Sequence, residues 1–219
     1  MIKNDYHHGN LKEEFLRIAF DYIAENDVEN LTLKILSDAT GTSRSAIYRH
    51  FSSKDKLIET MIIKGFEEFD ASVSPILRET SKPLIDRFYV SGKSYLEFAK
   101  QNSNLYRLLF GKRHANIREN IMSITNEECS GFSALKLAIE EGQKSGALKK
   151  EDSFQRTILI WSSLHGLASL IIDGFMDVDK IDTELYDKMF QDMLAASLSN
   201  KVKILSSIPF VENILKPNF

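Results

Sequence analysis

The sequence has little of what marks most other classes of protein. Its single cysteine, Cys129, can close no disulfide within the chain, and no second thiol stands beside it as a metal partner. A lone thiol suits a helix residue in a reducing compartment. Only 4 prolines and 10 glycines occur in 219 residues, and long stretches lack both, which favours helix. No apolar run reaches the roughly 18 residues needed to span a bilayer. The longest candidate, over 164–176, is interrupted by His165, Asp173 and Gly174. The opening MIKNDYHHGN is polar and reads as neither signal peptide nor anchor, so the chain is expected to be cytoplasmic and free of the membrane. A Gly-rich phosphate loop, a Gly-x-Ser-x-Gly elbow and a Cys/His cluster are all missing. His7 and His8 are adjacent but have no third ligand at suitable spacing. Neither catalysis, nor a cofactor, nor a metal is therefore expected.

The chain does have enough apolar residues, 43%, to bury a core without disulfides or metals, and its length suits one or two domains. The net charge of −3 does not advertise a nucleic-acid binder. The balance changes locally. Between Thr32 and Lys56 stand Lys34, Arg44, Arg49, Lys54 and Lys56 against only Asp38 and Asp55. A small basic patch on an acidic chain suits localised DNA contact and argues against coating of nucleic acid.

The pattern predicts helices almost throughout, and no strand. The first starts near Asn10, where Asn10 and Glu13 resemble a capping box, and carries Leu11, Phe15, Ile18, Ala19, Tyr22 and Ile23 at helical spacing. Thr32 is a good N-cap for a short helix to about Ala39, Gly41 marks a turn, and Ser43 caps a second short helix to about His50. Ser53 caps a longer one with Asp55 in its first turn, expected to run to about Ser72 and to break at Ser74-Pro75. Further helices are expected over Pro83 to Lys100, Asn104 to Phe110, Ile117 to Lys144, Ser153 to Asp173 and Asp182 to Asn200.

The informative stretch is LTLKILSDATGTSRSAIYRHF, residues 31–51, followed by SSKDKL. It reads as two short helices around a Gly turn. Leu33, Leu36, Ala46, Ile47 and Phe51 can pack inward, while Thr42, Ser43, Arg44, Ser45, Tyr48, Arg49 and His50 remain for the surface. A helix presenting donors and cations at its N-terminal end suits the major groove.

With the preceding YHHGNLKEEFLRIAFDYIAEND, the turn ATGTS, the stretch AIYRHF and the closing SKDKL, residues 6–60 resemble the TetR family of repressors. Ser37, Thr40 and Thr42 depart from it, standing where the family commonly has small or branched apolar residues, and a hydroxyl buried there would need a partner. The resemblance implies an all-α fold of about nine helices: a helix-turn-helix DNA-binding domain over 1–53 and a helical ligand-binding and dimerisation domain over 54–219. From side-chain chemistry and the family's usual docking, Thr32, Ser43, Tyr48, His50 and Lys54 are expected at phosphates, and Thr42, Arg44 and Ser45 at base edges. Arg49 suits either role. Lys3, His7 and His8 suit an arm reaching the backbone or minor groove.

Further along, Ile160-Trp161-Ser-Ser-Leu-His165-Gly166-Leu resembles the Trp…His-Gly element of one branch of the family. Leu159, Ser163, Gly166 and Leu170 form a stripe of small and apolar residues, and the last predicted helix carries Phe190 and Leu194 on one side and Leu185 and Met189 on another. A helix apolar on two sides must be covered on two sides. The stripe on the first helix, with Phe190 and Leu194, is therefore expected at a homodimer interface. Phe88, Tyr95, Phe98, Phe110, Trp161 and His165 are candidate walls for an unidentified small-molecule ligand, and equally candidates for ordinary core. The reading is a repressor that binds an inverted-repeat operator as a dimer and is released by a ligand. A regulator controlled by a protein partner, or an activator, is the alternative.

Overall fold

The computed structural model describes residues 11–122, 131–176 and 183–199. Asn10, the arm residues Lys3, His7 and His8, Cys129 and everything from Asn200 onwards lie outside them. The described residues form ten α-helices: α1 Leu11–Glu25, α2 Leu33–Ala39, α3 Arg44–His50, α4 Lys54–Arg78, α5 Leu84–Gln101, α6 Ser103–Phe110, α7 Ala115–Met122, α8 Gly131–Ser145, α9 Ser153–Ile172 and α10 Thr183–Ala195. Short 3-10 turns cover Val28–Asn30 and Lys112–His114. Among the described residues no helix is long and apolar enough to cross a membrane.

Contacts divide the chain into two units, residues 1–71 with 97–127, and residues 72–96 with 128–219. The first unit thus takes in more than the 1–53 segment expected to bind DNA. Phe15, Leu16, Ala19 and Ile23 of α1 are buried with Leu36, Ile47, Phe51, Leu57, Ile58, Met61 and Ile62. Farther along α4 an aromatic group forms: Phe69 meets Phe98 and Phe110 edge-on at 5.3 and 5.4 Å, and Phe110 also meets Phe66 and Tyr106. At Gly65 an added Cβ would lie 2.8 Å from Leu105 Cδ1 and 2.9 Å from Leu109 Cδ2, so α6 packs where α4 has no side chain.

The core of the second unit joins Leu77, Phe88, Ala134, Leu135, Ala138, Ile139, Leu148, Ile160, Tyr186, Phe190 and Leu194. Two polar pairs are built into it. Arg87, almost fully buried, donates to the Leu77 carbonyl at 2.8 Å and forms an ion pair with Glu141. Tyr89 donates to the buried carboxylate of Asp187. Burial, reinforced by that bond, pushes the Tyr89 phenol far above its ordinary pKa.

The structure corrects three expectations and describes a fourth, the second below, only in part. First, α4 does not break at Ser74-Pro75 but continues to Arg78 with Pro75 inside it. Proline removes the N–H that would serve the Ala71 carbonyl and crowds that turn. The next carbonyl, that of Ser72, accepts the Ser94 hydroxyl at 2.8 Å, and burial of Leu77 holds the continuation. Second, the helix expected over Ile117 to Lys144 is described as α7 and α8, with 123–130 outside the described residues. Third, α10 ends at Ala195 instead of Asn200, and Leu148 and Leu198 pair as an isolated antiparallel bridge. Lys149 N–H donates to Ser197 O at 2.9 Å, and Ser199 N–H to Ala147 O at 3.0 Å. Fourth, Phe190 and Leu194, expected at a dimer interface, are buried within their own chain, because the α10 face carrying them packs into the second core. Leu185 and Met189, on another side of α10, are 37% and 36% exposed.

Candidate nucleic-acid interface

Local chemistry sets the turn between α2 and α3. Thr32 Oγ1 accepts the Ile35 N–H and Ser43 Oγ accepts the Ala46 N–H, both at 3.2 Å, so each short helix begins on a side-chain cap. Ser53 Oγ accepts the Lys56 N–H at 3.2 Å at the start of α4. Between α2 and α3 Gly41 takes φ 65°, in the left-handed region that a side chain would strain.

The three hydroxyls in place of apolar residues all find partners. Ser37 is buried and donates to Lys34 O at 2.9 Å. Thr40 Oγ1 donates to Leu36 O at 2.9 Å and lies 2.8 Å from Thr42 Oγ1. Satisfied locally, they leave the core contacts of Leu33, Leu36 and Ile47 intact.

The inward residues Ala46, Ile47 and Phe51 are buried, as their spacing predicts. The opposite face of α3 is open: Arg44, Ser45, Tyr48, Arg49 and His50 are exposed, as are Thr32 and Ser43. Tyr48 is 55% exposed, as its place among the surface residues of α3 predicts. Its phenol and the guanidinium groups of Arg44 and Arg49 make no hydrogen bond or ion pair among the described residues. The His50 ring rests edge-on against Phe15 at 5.8 Å, which fixes its direction.

The basic excess of this segment is concentrated by its own pairing. Lys34 is bridged to Asp38 at 3.6 Å and Lys56 to Glu59 at 2.6 Å, each within its helix. What remains for a polyanion is Arg44 and Arg49 on α3, with Lys54 beside them in sequence. Lys54 Nζ donates to the Glu29 carbonyl at 2.6 Å, so it ties the start of α4 to the turn after α1. An ammonium has three donors, and two are left over. Sequence reasoning missed this tie and the Thr40–Thr42 contact. The only signal for the second was two hydroxyls two residues apart in a turn.

The six aromatic ligand candidates do not fall in one unit. Phe98 and Phe110 belong to the aromatic group of the first. Phe88, Tyr95, Trp161 and His165 belong to the second, where Tyr95 Oη lies 3.4 Å from His165 Nδ1 and the Trp161 and His165 rings are 5.8 Å apart. Burial holds the His165 imidazole below its ordinary pKa. On α9, Leu159 and Leu170 are 50% and 44% exposed, Ser163 is exposed, and a Cβ added at Gly166 would meet nothing within 4 Å. This stripe is an open face.

Two family models and several known proteins match this chain. Residues 15–61 match the family model described as bacterial regulatory proteins, tetR family, and residues 90–196 match that described as tetracyclin repressor-like, C-terminal domain. A nucleoid occlusion factor, SlmA, of Aliivibrio fischeri is 33% identical over 112 residues, 51% of this chain and 56% of the relative. The chain thus spans about half the length of the curated relatives it matches. Among solved structures, a protein of Rhodococcus sp. RHA1 superposes with a TM-score of 0.70 at 22% identity, covering 87% of this chain and 98% of that one. A TetR-family transcriptional regulator of Haemophilus influenzae gives a TM-score of 0.63 at 19% identity, covering 87% and 97%.

Proposed function

Because the chain belongs to the TetR family of transcriptional regulators, we propose that it represses transcription by binding an inverted-repeat operator as a homodimer, and that a small molecule bound in the second unit releases it. The observation that carries the DNA half of this reading is the open face of α3. Arg44, Tyr48, Arg49 and His50 are exposed there on a helix whose opposite face is locked into the core. In this reading Thr32, Ser43, Tyr48, His50 and Lys54 hold phosphates and set the register. Thr42, Arg44 and Ser45 meet base edges, Arg44 suiting guanine. Dimerisation uses the stripe of Leu159, Ser163, Gly166 and Leu170 on α9 together with Leu185 and Met189 on α10. An isologous pair suits a two-fold operator.

The ligand half rests on Tyr95, Trp161 and His165, an aromatic group with polar handles in the second unit. By linkage, ligand and DNA must weaken each other by the same factor. A second reading keeps the DNA contact and replaces the small molecule by a protein partner. The half-chain likeness to a nucleoid occlusion factor favours it.

The test is selection of bound duplexes from random DNA by the purified protein at two salt concentrations. Enrichment of one inverted repeat, with affinity falling steeply as salt rises, is the expected outcome. Salt-sensitive binding with no enriched sequence would overturn the operator reading. A small-molecule library screened for thermal stabilisation then separates the two modes of control. A stabilising compound that leaves operator affinity unchanged would remove the inducer mechanism.

A further inference from the structure

We infer that Thr42 is held by Thr40 as a pure hydrogen-bond acceptor, and that it therefore selects an amino base, adenine or cytosine, at one position of each operator half-site. The inference rests on the DNA-reading function proposed above and specifies its chemistry at one residue.

The available protons fix the direction of each bond. Thr40 Oγ1 lies 2.9 Å from the Leu36 carbonyl oxygen and 2.8 Å from Thr42 Oγ1. Two oxygens at such distances need a proton between them. The carbonyl carries none, so the single Thr40 proton goes to Leu36, with the Ser37 carbonyl at 3.2 Å sharing it. The contact between the two hydroxyls must then be made by the Thr42 proton. In the reverse arrangement Thr40 would face the Leu36 carbonyl with lone pair against lone pair. The Thr42 backbone is held too, since its N–H donates to Ser37 O at 3.0 Å. Thr42 is left half-buried just before the Ser43 cap of α3, with its proton turned inward and only lone pairs to offer outward.

In the major groove adenine N6 and cytosine N4 are donors, whereas guanine O6 and thymine O4 are acceptors. An oxygen with no proton to give attracts the first pair and repels the second at the same place. The neighbouring Ser43 and Ser45 differ. Their hydroxyls are 2.9 Å apart, but the other bond at Ser43 is one it accepts, from the Ala46 N–H at 3.2 Å. Either serine can therefore give the shared proton, and Ser45 has no fixed sign. Of these two hydroxyl pairs only Thr40–Thr42 is wired in one direction.

The experiment is selection from random duplexes with the full chain and its Thr42→Val, Thr42→Ser and Thr40→Val variants, read position by position. Wild type is expected to prefer adenine or cytosine over guanine and thymine by about three- to tenfold at one position per half-site, the size of a single net hydrogen bond. Thr42→Val should lose that preference there and nowhere else, and Thr42→Ser should keep it. Thr40→Val leaves Thr42 in place but removes the oxygen that takes its proton. The position should then admit guanine and thymine as well. An operator profile unchanged in Thr42→Val, or a preference that survives Thr40→Val, would overturn the inference while leaving the DNA-reading function standing. A wild-type protein that enriches no motif overturns both.

Discussion

The two units bury and expose opposite kinds of chemistry. Around α3 the polar side chains are outside, and the hydroxyls that point inward are satisfied within a few residues of themselves. In the second unit an arginine and an aspartate are buried in long-range pairs, Arg87 with Glu141 and Asp187 with Tyr89, while leucines of α9 stand in solvent. The first pattern suits a surface that meets a polyanion and must carry donors. The second suits a surface that meets another apolar helix, with a core whose few polar pairs fix which helix faces lie inward. In the proposed reading an exposed arginine on α3 and an exposed leucine on α9 carry the same message: each marks a face left for a partner, and the side chain states what kind.

The sharpest way to break this contrast is to put charge on the apolar face. The double substitution Leu159→Lys with Leu170→Lys is expected to reduce the mass in solution to one chain by analytical ultracentrifugation. Operator affinity should fall by about a hundredfold or more as bivalent attachment is lost. A variant that stays dimeric would place the interface elsewhere. Next in size is the buried cation. Arg87→Met empties the bond to the Leu77 carbonyl and frees Glu141, and urea unfolding should show a loss of about 2–3 kcal/mol. Operator selectivity should remain unaltered, because Arg87 sits in the second unit. On the other side of the contrast, Arg44→Ala should leave the urea midpoint unmoved and relax base preference at one position per half-site by roughly 1–3 kcal/mol. Full selectivity in that variant would strike Arg44 from the base readers.

The smallest effect concerns pH. Burial lowers the pKa of His165 and of His114, so both favour the neutral ring in the folded chain. Above the ordinary value of 6.5 the rings are neutral in both states and the shift costs nothing. As pH falls below that value the unfolded chain binds protons first, and stability declines until the folded-state pKa values are also passed. Thermal midpoints should therefore drop between about pH 7 and pH 5. His165→Asn should make that drop shallower, with His114 supplying the remainder. An equal slope in the variant would mean that the His165 ring is not shielded.

Most of the DNA-facing part was legible in the sequence because its determinants are local. Thr32, Ser43, Ser53 and Gly41 act on atoms two to four residues away, so a cap or a turn can be read from the letters alone. The misreadings were decided at longer range. Pro75 reads as a helix end, and the hydroxyl that serves the turn beside it comes from Ser94 on the next helix. Both faces of α10 are apolar in sequence, and only contact with Phe88, Ile139 and Ile160 settles that Phe190 and Leu194 turn inward while Leu185 and Met189 do not. Lys54 reads as a free cation until the Glu29 carbonyl, twenty-five residues earlier, is found against it.

The pairing of Leu148 with Leu198 reaches beyond the two residues it joins. The turn after α8 holds the end of α10 through two backbone bonds, through Ser199 Oγ on Gly146 O at 2.7 Å and through Lys149 Nζ on Ala196 O at 2.7 Å. Those four bonds act as a clasp at one end of a lever whose apolar side, Leu185 and Met189, faces outward. A change in the turn, such as a longer insertion after Gly146, would alter the pitch of that lever without touching its surface. With α10 at the proposed interface, quaternary geometry would then drift through a loop outside that interface.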